Sequence, residues 1–386
     1  MYLENKKYGI IAFFIWPVLG VIYSFRNYKE AWAKNILWAF TIFYGFTFSI
    51  GAESESSDIV RYIEQFVSLY NRSFDFNEII YYISTSGEVD FLRVLLALFL
   101  SSFTNNPIVL TSVYGFIFGF FFSRNIFFIL NSLKAKFVGP QKMLFVVLVL
   151  IVPIWFMNGF RMYTAFHVFL YGLLPYLLGG NRKKFIFCVL SLFIHFSYLL
   201  PISVLLLYIL FRNQVKIYFI LFIISLFFAE LNLSFVKESI AKFASTTMID
   251  RTDSYLGEEK VSNLRSGSNV KIVNWYVEWY NKSLRWSLIM ILTYFYLFRL
   301  KLLSQNKILL TLYSSTLLFF VFANLMGSLP SGARFFIFPC LLGILFLLFY
   351  LQDQPNDKKV SVLIRFFSPA FLLFIIVSIR ISLYSF

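Results

Sequence analysis

Residues 331–351 read SGARFFIFPCLLGILFLLFYL, and this stretch decides the kind of fold that the chain can form. After Arg334 it carries no charged residue as far as Leu351. A transmembrane helix needs roughly 20 predominantly apolar residues, so the stretch predicts a membrane helix. The arginine in front of that helix places a charge beside the membrane, where an ionisable side chain is costly and by default indicates a functional site.

The same apolar pattern recurs along the whole chain of 386 residues. Hydrophobic residues make up 59% and charged residues only 14%, with a mean hydropathy of +0.75, whereas a soluble domain averages about 25% charged residues. Candidate membrane helices are the runs 8–25, 35–50, 107–131, 143–157, 163–179, 185–198, 200–211, 215–230, 285–298, 308–323, 335–351 and 366–384. We therefore predict an all-α polytopic membrane protein in which residues 1–386 form a single domain of about twelve transmembrane helices.

Basic residues cluster in short loops between these runs. Cytoplasmic loops of membrane proteins are rich in Lys and Arg, so the net charge of +15 indicates an orientation rather than a nucleic-acid partner. Five loops carry this signal, with Arg26, Lys29 and Lys34; Lys134, Lys136 and Lys142; Arg182, Lys183 and Lys184; Arg212 and Lys216; and Arg299, Lys301 and Lys307. This pattern places the N-terminus outside and requires two short helices within 184–212 that turn near Pro201.

Two long polar segments then lie on the outer face. The first, 51–106, combines an acidic loop with the apolar run 91–103, which we interpret as an interfacial helix with Asp90 and Arg93 at its start. The second, 231–284, contains the aromatic sequence WYVEWY at 275–280. Those rings fit either an aromatic belt at the membrane surface or a surface that stacks on sugars.

Three arginines lie on the outer side by this topology. Arg161 follows the turn NGF, Arg334 follows SGA, and Arg61 lies in SSDIVRY. Arginine carries a planar fork of donors that suits phosphate oxygens, and the natural diphosphate near this membrane surface is that of a polyprenyl carrier lipid. Pairing with phospholipid headgroups is the simpler alternative for each arginine. Two arginines that each follow a glycine-containing turn at the same depth favour a binding site.

The base for a proton transfer has two candidates. His195 lies in the apolar stretch FCVLSLFIHFSYLLP, and a histidine titrates near neutral pH; the alternative is a buried structural histidine. Asp58 is the second candidate, with a solvated loop carboxylate as its alternative. Cys188 and Cys340 lie in apolar runs without metal-ligand spacing, and the sequence contains no Walker A or zinc-protease motif. We expect neither a metal nor a cofactor.

Taken in order, these motifs resemble the EpsG-type branch of Wzy-like polysaccharide polymerases. The resemblance covers residues 1 to about 345 and is carried by SSDIVRYIEQF, SSFTNNP, NGFR at Arg161, LFIHFS at His195 and SGARF at Arg334. It implies a glycosyltransferase of the bacterial inner membrane, with a fold similar to that of GT-C-type enzymes that use lipid-linked sugars. The active site is expected on the periplasmic or outer side.

The resemblance also implies a reaction and its partners. A growing glycan would pass from undecaprenyl diphosphate to a sugar hydroxyl of an incoming lipid-linked repeat unit, in the synthesis of capsule, O-antigen or exopolysaccharide. Arg161 and Arg334 would bind the diphosphate, and His195 or Asp58 would deprotonate the acceptor hydroxyl. Substrate contacts are expected from Arg61, Tyr62, Asn158, Tyr163, Ser197, Arg265, Trp275, Tyr276 and Ser331. Membrane lipids and a chain-length-regulating co-polymerase complete the expected partners.

Other classes of protein stay open at this point. A flippase of the same lipid-linked sugar would need paired ionisable residues near the bilayer midplane and repeated halves, and the sequence shows neither feature. An O-antigen ligase or another lipid-sugar transferase would use the arginines in the same way. A membrane O-acyltransferase would need its histidine within reach of an acyl donor.

Overall fold

The structure, a computed structural model, describes residues 2–384 apart from 49–57, 73, 76, 78, 83–89, 134–136, 138, 228–273 and 328–330. Over the described residues the chain is helical and contains no strand, so the predicted all-α class is confirmed. The helices are α1 (Tyr2–Ile15), α2 (Pro17–Arg26), α3 (Ala33–Phe46), α4 (Asp58–Ser68), α5 (Phe91–Ser101), α6 (Pro107–Ser132), α7 (Pro140–Ile151), α8 (Phe160–Gly179), α9 (Phe185–Ile194), α10 (Leu199–Phe211), α11 (Val215–Phe227), α12 (Trp275–Leu303), α13 (Lys307–Met326), α14 (Ile337–Asp353), α15 (Lys358–Phe366) and α16 (Ser368–Tyr384).

Five segments of the described chain are long and apolar enough to cross a membrane. They are Pro107–Ser132, Pro140–Gly179, Trp275–Leu303, Lys307–Met326 and Gly332–Asp353. The pair Lys358–Phe366 and Ser368–Ser382, bent by 50° at its break, forms a sixth if it is counted as one span. The remaining helices fall short of the roughly 20 residues that a spanning helix needs. The structure therefore supports a helical membrane protein with five or six candidate spans, and it does not support the predicted twelve.

Breaks in the helices explain part of this difference. The predicted run 8–25 forms two helices, because Pro17 opens α2 and cannot continue the hydrogen bonds of α1. The predicted turn near Pro201 lies earlier in the chain, since α9 ends at Ile194 and the turn is formed by His195 and the 3-10 helix Phe196–Tyr198. Pro201 itself lies in the first turn of α10, where proline is tolerated.

The two predicted outer segments are partly helical. The first contains α4 and α5, and α5 has 11 residues, as expected of a helix that does not span. Asp90 and Arg93 at its start are nevertheless 2% and 1% exposed, so the structure places these charges inside the protein. The second segment is helical from Trp275 onwards. Helix α12 begins there, ten residues before the start of the predicted run 285–298. The loop predicted at 245–269, with Arg265, lies outside the described residues.

The chain divides into two compact units. Unit 1 comprises Met1–Ala135, Val152–Ile202 and Arg380–Phe386, and unit 2 comprises Lys136–Ile151 and Ser203–Ile379. Each unit draws on distant parts of the chain, so residues far apart in sequence can meet within it.

Helices α3 and α6 of unit 1 cross at glycines. Gly115 and Gly119 repeat at the small-xxx-small spacing that lets membrane helices approach closely, and a Cβ atom at either position would overlap Thr41. This crossing positions α6, whose Tyr114 ring stacks on Phe160 with 3.8 Å between the ring centroids. Phe160 opens α8, so the close crossing supports the end of α8 that carries the predicted site residues.

Unit 2 is built around α12, α13 and α14. The Tyr313 hydroxyl of α13 donates to the backbone oxygen of Leu292 on α12 at 2.8 Å. Beyond the apolar part of α12, Arg299 pairs with Asp357 at 3.0 Å, and the Tyr350 hydroxyl donates to the same carboxylate at 2.7 Å. These bonds satisfy polar groups whose burial would otherwise be costly.

Candidate functional site

One buried carboxylate in unit 1 collects donors from separate segments of the chain. Asp90, directly before α5, accepts a hydrogen bond from Arg161 Nη1 at Oδ2 (2.7 Å) and another from the backbone N–H of Phe196 at Oδ1 (3.1 Å). Nδ1 of His195 lies 3.1 Å from Oδ1 and 3.2 Å from Oδ2. Because both oxygens are engaged, a guanidinium and an imidazole are held on the same anion.

The start of α8 determines where Arg161 lies. Arg161 is the second residue of that helix, which follows the 3-10 helix Ile154–Gly159. A Cβ atom at Gly159 would lie 2.8 Å from the ring of Tyr163, so any larger residue would displace that ring. The glycine of the NGFR sequence thus allows the tight entry into α8 that aims Arg161 at Asp90.

The break between α9 and α10 positions His195. At His195 the backbone is extended, with φ −151° and ψ 114°, and α9 has ended one residue earlier. The buried hydroxyl of Tyr198 donates to the backbone oxygen of Met162 at 2.8 Å. Since Met162 follows Arg161 in α8, this hydrogen bond fixes the turn that carries His195 against the helix that carries Arg161.

Aromatic and amide side chains from α4 surround the arginines. Nε of Arg161 donates to the Tyr62 hydroxyl at 2.6 Å. The guanidinium of Arg93, which is almost fully buried, lies 4.8 Å from the centroid of the Tyr62 ring and donates to Gln65. Gln65 in turn donates to the Tyr82 hydroxyl. The site therefore combines two arginines with one aspartate, and Tyr62 contacts both cations.

The pKa of Asp90 reflects these contacts. Burial would raise it, but the hydrogen bond and charge of His195, the charge of Arg161 and the Phe196 N–H lower it to about 2. The carboxylate is thus ionised at physiological pH. Its side chain is only 3% exposed, compared with 23% for Arg161 and 19% for His195. A molecule reaching this site would meet a cation and an imidazole before it met the carboxylate.

The structure thus brings together three of the predicted residues, Tyr62, Arg161 and His195. Asp58 and Arg61 instead pair with each other one turn apart on α4, with 26% and 63% of their side chains exposed. Three further predicted contacts lie on the same segments: Asn158 in the turn before α8, Tyr163 in α8 and Ser197 in the turn after His195.

The other predicted residues that the structure describes belong to unit 2. Arg334 is exposed in the 3-10 helix Gly332–Phe336. Ser331 precedes it with φ +62°, a left-handed conformation that is uncommon for a residue other than glycine. Trp275 is 66% exposed at the start of α12, and its ring meets that of Tyr276 edge-on.

Asp90, Arg93 and Gln65 are site residues that the sequence interpretation missed. Asp90 and Arg93 carry a signal in the sequence, because charged residues beside an apolar run are costly unless they are paired, but we interpreted them as the start of an interfacial helix. Gln65 carries no such signal. Among the residues that the structure describes, no group of three or more His, Cys, Asp and Glu side chains could hold a metal ion.

Apolar spanning helices and a buried cluster of charged side chains define a helical membrane protein whose polar site can bind an anion and accept a proton. The chain belongs to the EpsG family, whose model matches residues 36–386. EpsG is a family of Wzy-like polysaccharide polymerases, so the resemblance predicted from the sequence is confirmed, and the family indicates a glycosyltransferase-type polymerase. Neither the curated proteins nor the solved structures contain a match to this chain, and the similarity to GT-C-type enzymes stays a prediction.

Proposed function

We propose that the protein polymerises oligosaccharide repeat units carried on undecaprenyl diphosphate, and that the Asp90 cluster of unit 1 is its catalytic site. The observation that carries the proposal is the buried carboxylate that holds a more exposed arginine and histidine on its two oxygens. Transfer of a glycan from a lipid diphosphate calls for two such groups, one to stabilise the charge of the leaving diphosphate and one to accept the proton of the acceptor hydroxyl.

His195 is the proposed general base. The acceptor hydroxyl attacks the anomeric carbon of the donor glycan, the new glycosidic C–O bond forms, and the C–O bond to the diphosphate breaks. Asp90 contacts Nδ1 of His195 and favours the tautomer with the ring hydrogen on Nδ1. Nε2 of His195 is then free to accept the proton of the acceptor hydroxyl. The nearby carboxylate then stabilises the imidazolium, and undecaprenyl diphosphate leaves with the bonding electrons.

Arg161 is proposed to stabilise the charge that develops on the diphosphate. Its Nε and Nη1 are fixed by the Tyr62 hydroxyl and by Asp90, which orients the guanidinium before substrate binds. Preorganised cations lower the transition-state energy because they do not have to reorient as charge develops. Arg93, on the ring of Tyr62, adds a second positive charge to the cluster.

Of the two bases considered from the sequence, we favour His195 over Asp58. The half-buried Asp58 is already paired with the exposed Arg61, whereas His195 lies on the buried carboxylate. We propose Arg61 and Arg334 as further contacts to the anionic substrate. The remaining substrate contacts proposed are Tyr62, Asn158, Tyr163, Ser197, Arg265, Trp275, Tyr276 and Ser331.

The membrane setting is also part of the proposal. We place the protein in a bacterial inner membrane with the Asp90 cluster on the periplasmic or outer side. In that arrangement the shorter apolar helices, such as Phe196–Phe211 and Val215–Phe227, pair or break within the bilayer to complete about twelve crossings. A chain-length-regulating co-polymerase is a further proposed partner.

Chain growth by the purified protein tests the proposal. Protein in nanodiscs, given its lipid-linked repeat unit alone, should produce a ladder of longer lipid-linked glycans. His195→Gln and Arg161→Gln should abolish the ladder at equal amounts of folded protein. Arg182→Gln, which changes an exposed arginine just before α9, should preserve it. Movement of the lipid across the membrane without chain growth would indicate a flippase, and transfer only to an added lipid A core would indicate a ligase; either result contradicts polymerisation.

A further inference from the structure

Arg285 of α12 is a cation inside unit 2 that the catalytic proposal does not use. It is the last charged residue before the apolar stretch 286–298, and Arg299 is the next charged residue along the helix. These two arginines are fourteen residues apart, which is about 21 Å along a helix axis. Arg285 therefore marks one border of the apolar part of α12, at the end of the helix that also carries Trp275 and Trp279.

The groups that hold Arg285 are uncharged. Its Nη2 donates to Oδ1 of Asn324 on α13 at 2.7 Å, and its guanidinium lies 3.8 Å from the centroid of the Phe336 ring. Asn324 is itself oriented, because its Nδ2 donates to Ser225 Oγ on α11 at 2.8 Å. The Nε atom of Arg285 is buried and has no hydrogen-bond partner among the described residues. Three neutral side chains thus orient the guanidinium without neutralising it.

The Arg285 side chain is half-buried in unit 2, with neutral groups around its guanidinium. A charge withdrawn from water is normally paired with an opposite charge, because desolvation without a partner is costly. Arg161 and Arg299 follow this rule, since they pair with Asp90 and Asp357, whereas the buried Arg93 of unit 1 donates to the neutral side chain of Gln65. Among the described residues no carboxylate forms an ion pair with Arg285. Its oriented charge, which no carboxylate of the described residues compensates, is explained if an external anion supplies a partner.

The surroundings define what kind of anion fits. The planar fork of donors in an arginine matches phosphate oxygens. The site lies at the border of the apolar stretch, next to the Gly332–Phe336 turn, which brings an exposed second arginine, Arg334, two residues from the ring that stacks on Arg285. A phosphate attached to a long lipid chain would have its charge at this border and its chain in the bilayer.

We propose that Arg285 binds the diphosphate of a second lipid-linked substrate molecule. This inference rests on the proposed function, because a polymerase joins two lipid-linked glycans and each of them carries its own diphosphate. Arg161 serves the donor, whose diphosphate leaves, and Arg285 holds the acceptor, whose diphosphate stays intact. Asn324, Ser225 and Phe336 act as positioning residues that orient the Arg285 guanidinium.

Binding of undecaprenyl diphosphate without any sugar tests this site separately from catalysis. Native mass spectrometry would count the copies of this lipid that the wild-type protein and its variants retain. Arg285→Gln should lose one copy, with at least about tenfold weaker binding of that copy, while Arg365→Gln, which changes an exposed arginine of α15, should retain it. An excess of phosphatidylglycerol should not displace the copy. Unchanged binding in Arg285→Gln, or equal displacement by phosphatidylglycerol, would overturn the proposal.

Asn324→Asp provides a second and sharper variant. The substitution keeps the size of the side chain but gives Arg285 a carboxylate partner, so the melting temperature should rise while the Arg285-dependent copy of undecaprenyl diphosphate is lost. A purely structural role for Arg285 predicts the same gain in stability with lipid binding unchanged, and that result would overturn the proposal even if Arg285→Gln did not fold. Because no step in this assay requires chain growth, a failure of the polymerase proposal would appear in the ladder assay instead.

Discussion

Two aspartate–arginine pairs in unit 1 contain the same chemical groups and differ in their surroundings. Asp58 and Arg61 lie one turn apart on α4, and 26% and 63% of their side chains are exposed. Asp90 and Arg161 lie 71 residues apart in sequence, with only 3% and 23% exposed. Exposed pairs contribute little to stability because water screens them, whereas breaking a buried pair leaves an uncompensated charge.

Under the proposed function, this difference favours Asp90 over Asp58 as the carboxylate that takes part in the chemistry. The exposed pair is formed by local helix geometry and places its charges in water. The buried pair adds His195 and Tyr62 to the same network, so changing one member alters the orientation of the others. We expect substitutions at the buried pair to reduce both catalysis and stability strongly, and substitutions at the exposed pair, whose Arg61 is a proposed substrate contact, to reduce catalysis modestly and stability little.

The largest expected effect separates the two candidate bases. His195→Gln keeps a polar side chain but removes the proton acceptor, and we expect the rate of polymerisation to fall about 1,000-fold. Asp58→Asn should lower the same rate less than about threefold, because Asp58 is paired at the surface. Initial rates of chain growth on the lipid-linked repeat unit measure both. A large loss in Asp58→Asn with near-normal rates in His195→Gln would reverse the assignment.

Replacing Arg161 or Arg61 by lysine tests whether the planar shape of the guanidinium is needed, because the positive charge is kept. Lysine keeps the positive charge but loses the planar fork that reaches both Tyr62 and Asp90 from Arg161. We expect Arg161→Lys to lower the rate of chain growth about 100-fold, and Arg61→Lys to change it only slightly. Circular dichroism and gel filtration of the two variants would show that both are folded. Equal rates for the two variants would mean that the buried fork is not needed.

The helical class was predictable from composition, while the number of spans was not. Apolar runs identify helices because each needs about 20 residues to cross, but Pro17 and the extended backbone at His195 divide runs that hydropathy alone treats as continuous. The sequence shows the small-xxx-small spacing of Gly115 and Gly119. Only the structure shows that these glycines of α6 pack against Thr41 of α3.

Arg161 and His195 of the candidate site could be predicted from the sequence, and Asp90 could not. Arg161 and His195 stand out because a charged or titratable residue inside an apolar sequence is unusual. Asp90 did not stand out, because its partners lie 71 and 105 residues away, and a single sequence gives no distance between such positions. Local pairs such as Asp58 and Arg61 are visible from spacing alone; the sequence left Asp58 beside His195 as a candidate base, whereas we propose the Asp90 cluster for that chemistry.

Asp90→Asn should reveal the buried pair through the pH dependence of stability. The pKa of Asp90 in the folded protein is about 2, below its ordinary value of 3.8, so its ionised form stabilises the fold above about pH 4, and this contribution is lost as the pH falls towards 2. At pH 7 we expect the variant to be less stable by about 2 kcal/mol. The difference between wild type and variant should shrink between pH 5 and pH 2, as followed by denaturation in detergent. A difference that is constant with pH would show that the charge of Asp90 is not responsible.

The smallest expected effect concerns the exposed pair, and a double-mutant cycle of Arg61→Gln and Asp58→Asn measures it. We expect a coupling free energy below about 1 kcal/mol, because the Arg61 side chain is 63% exposed. Added salt should remove most of this coupling, since the Debye length falls to about 3 Å at 1 M salt. The corresponding cycle of Arg161→Gln and Asp90→Asn should give a larger coupling that salt changes little. The coupling at the exposed pair could instead prove as strong and as salt-resistant as that at the buried pair. That result would mean that bound substrate or lipid shields Asp58 from water. Asp58 would then again be a candidate base.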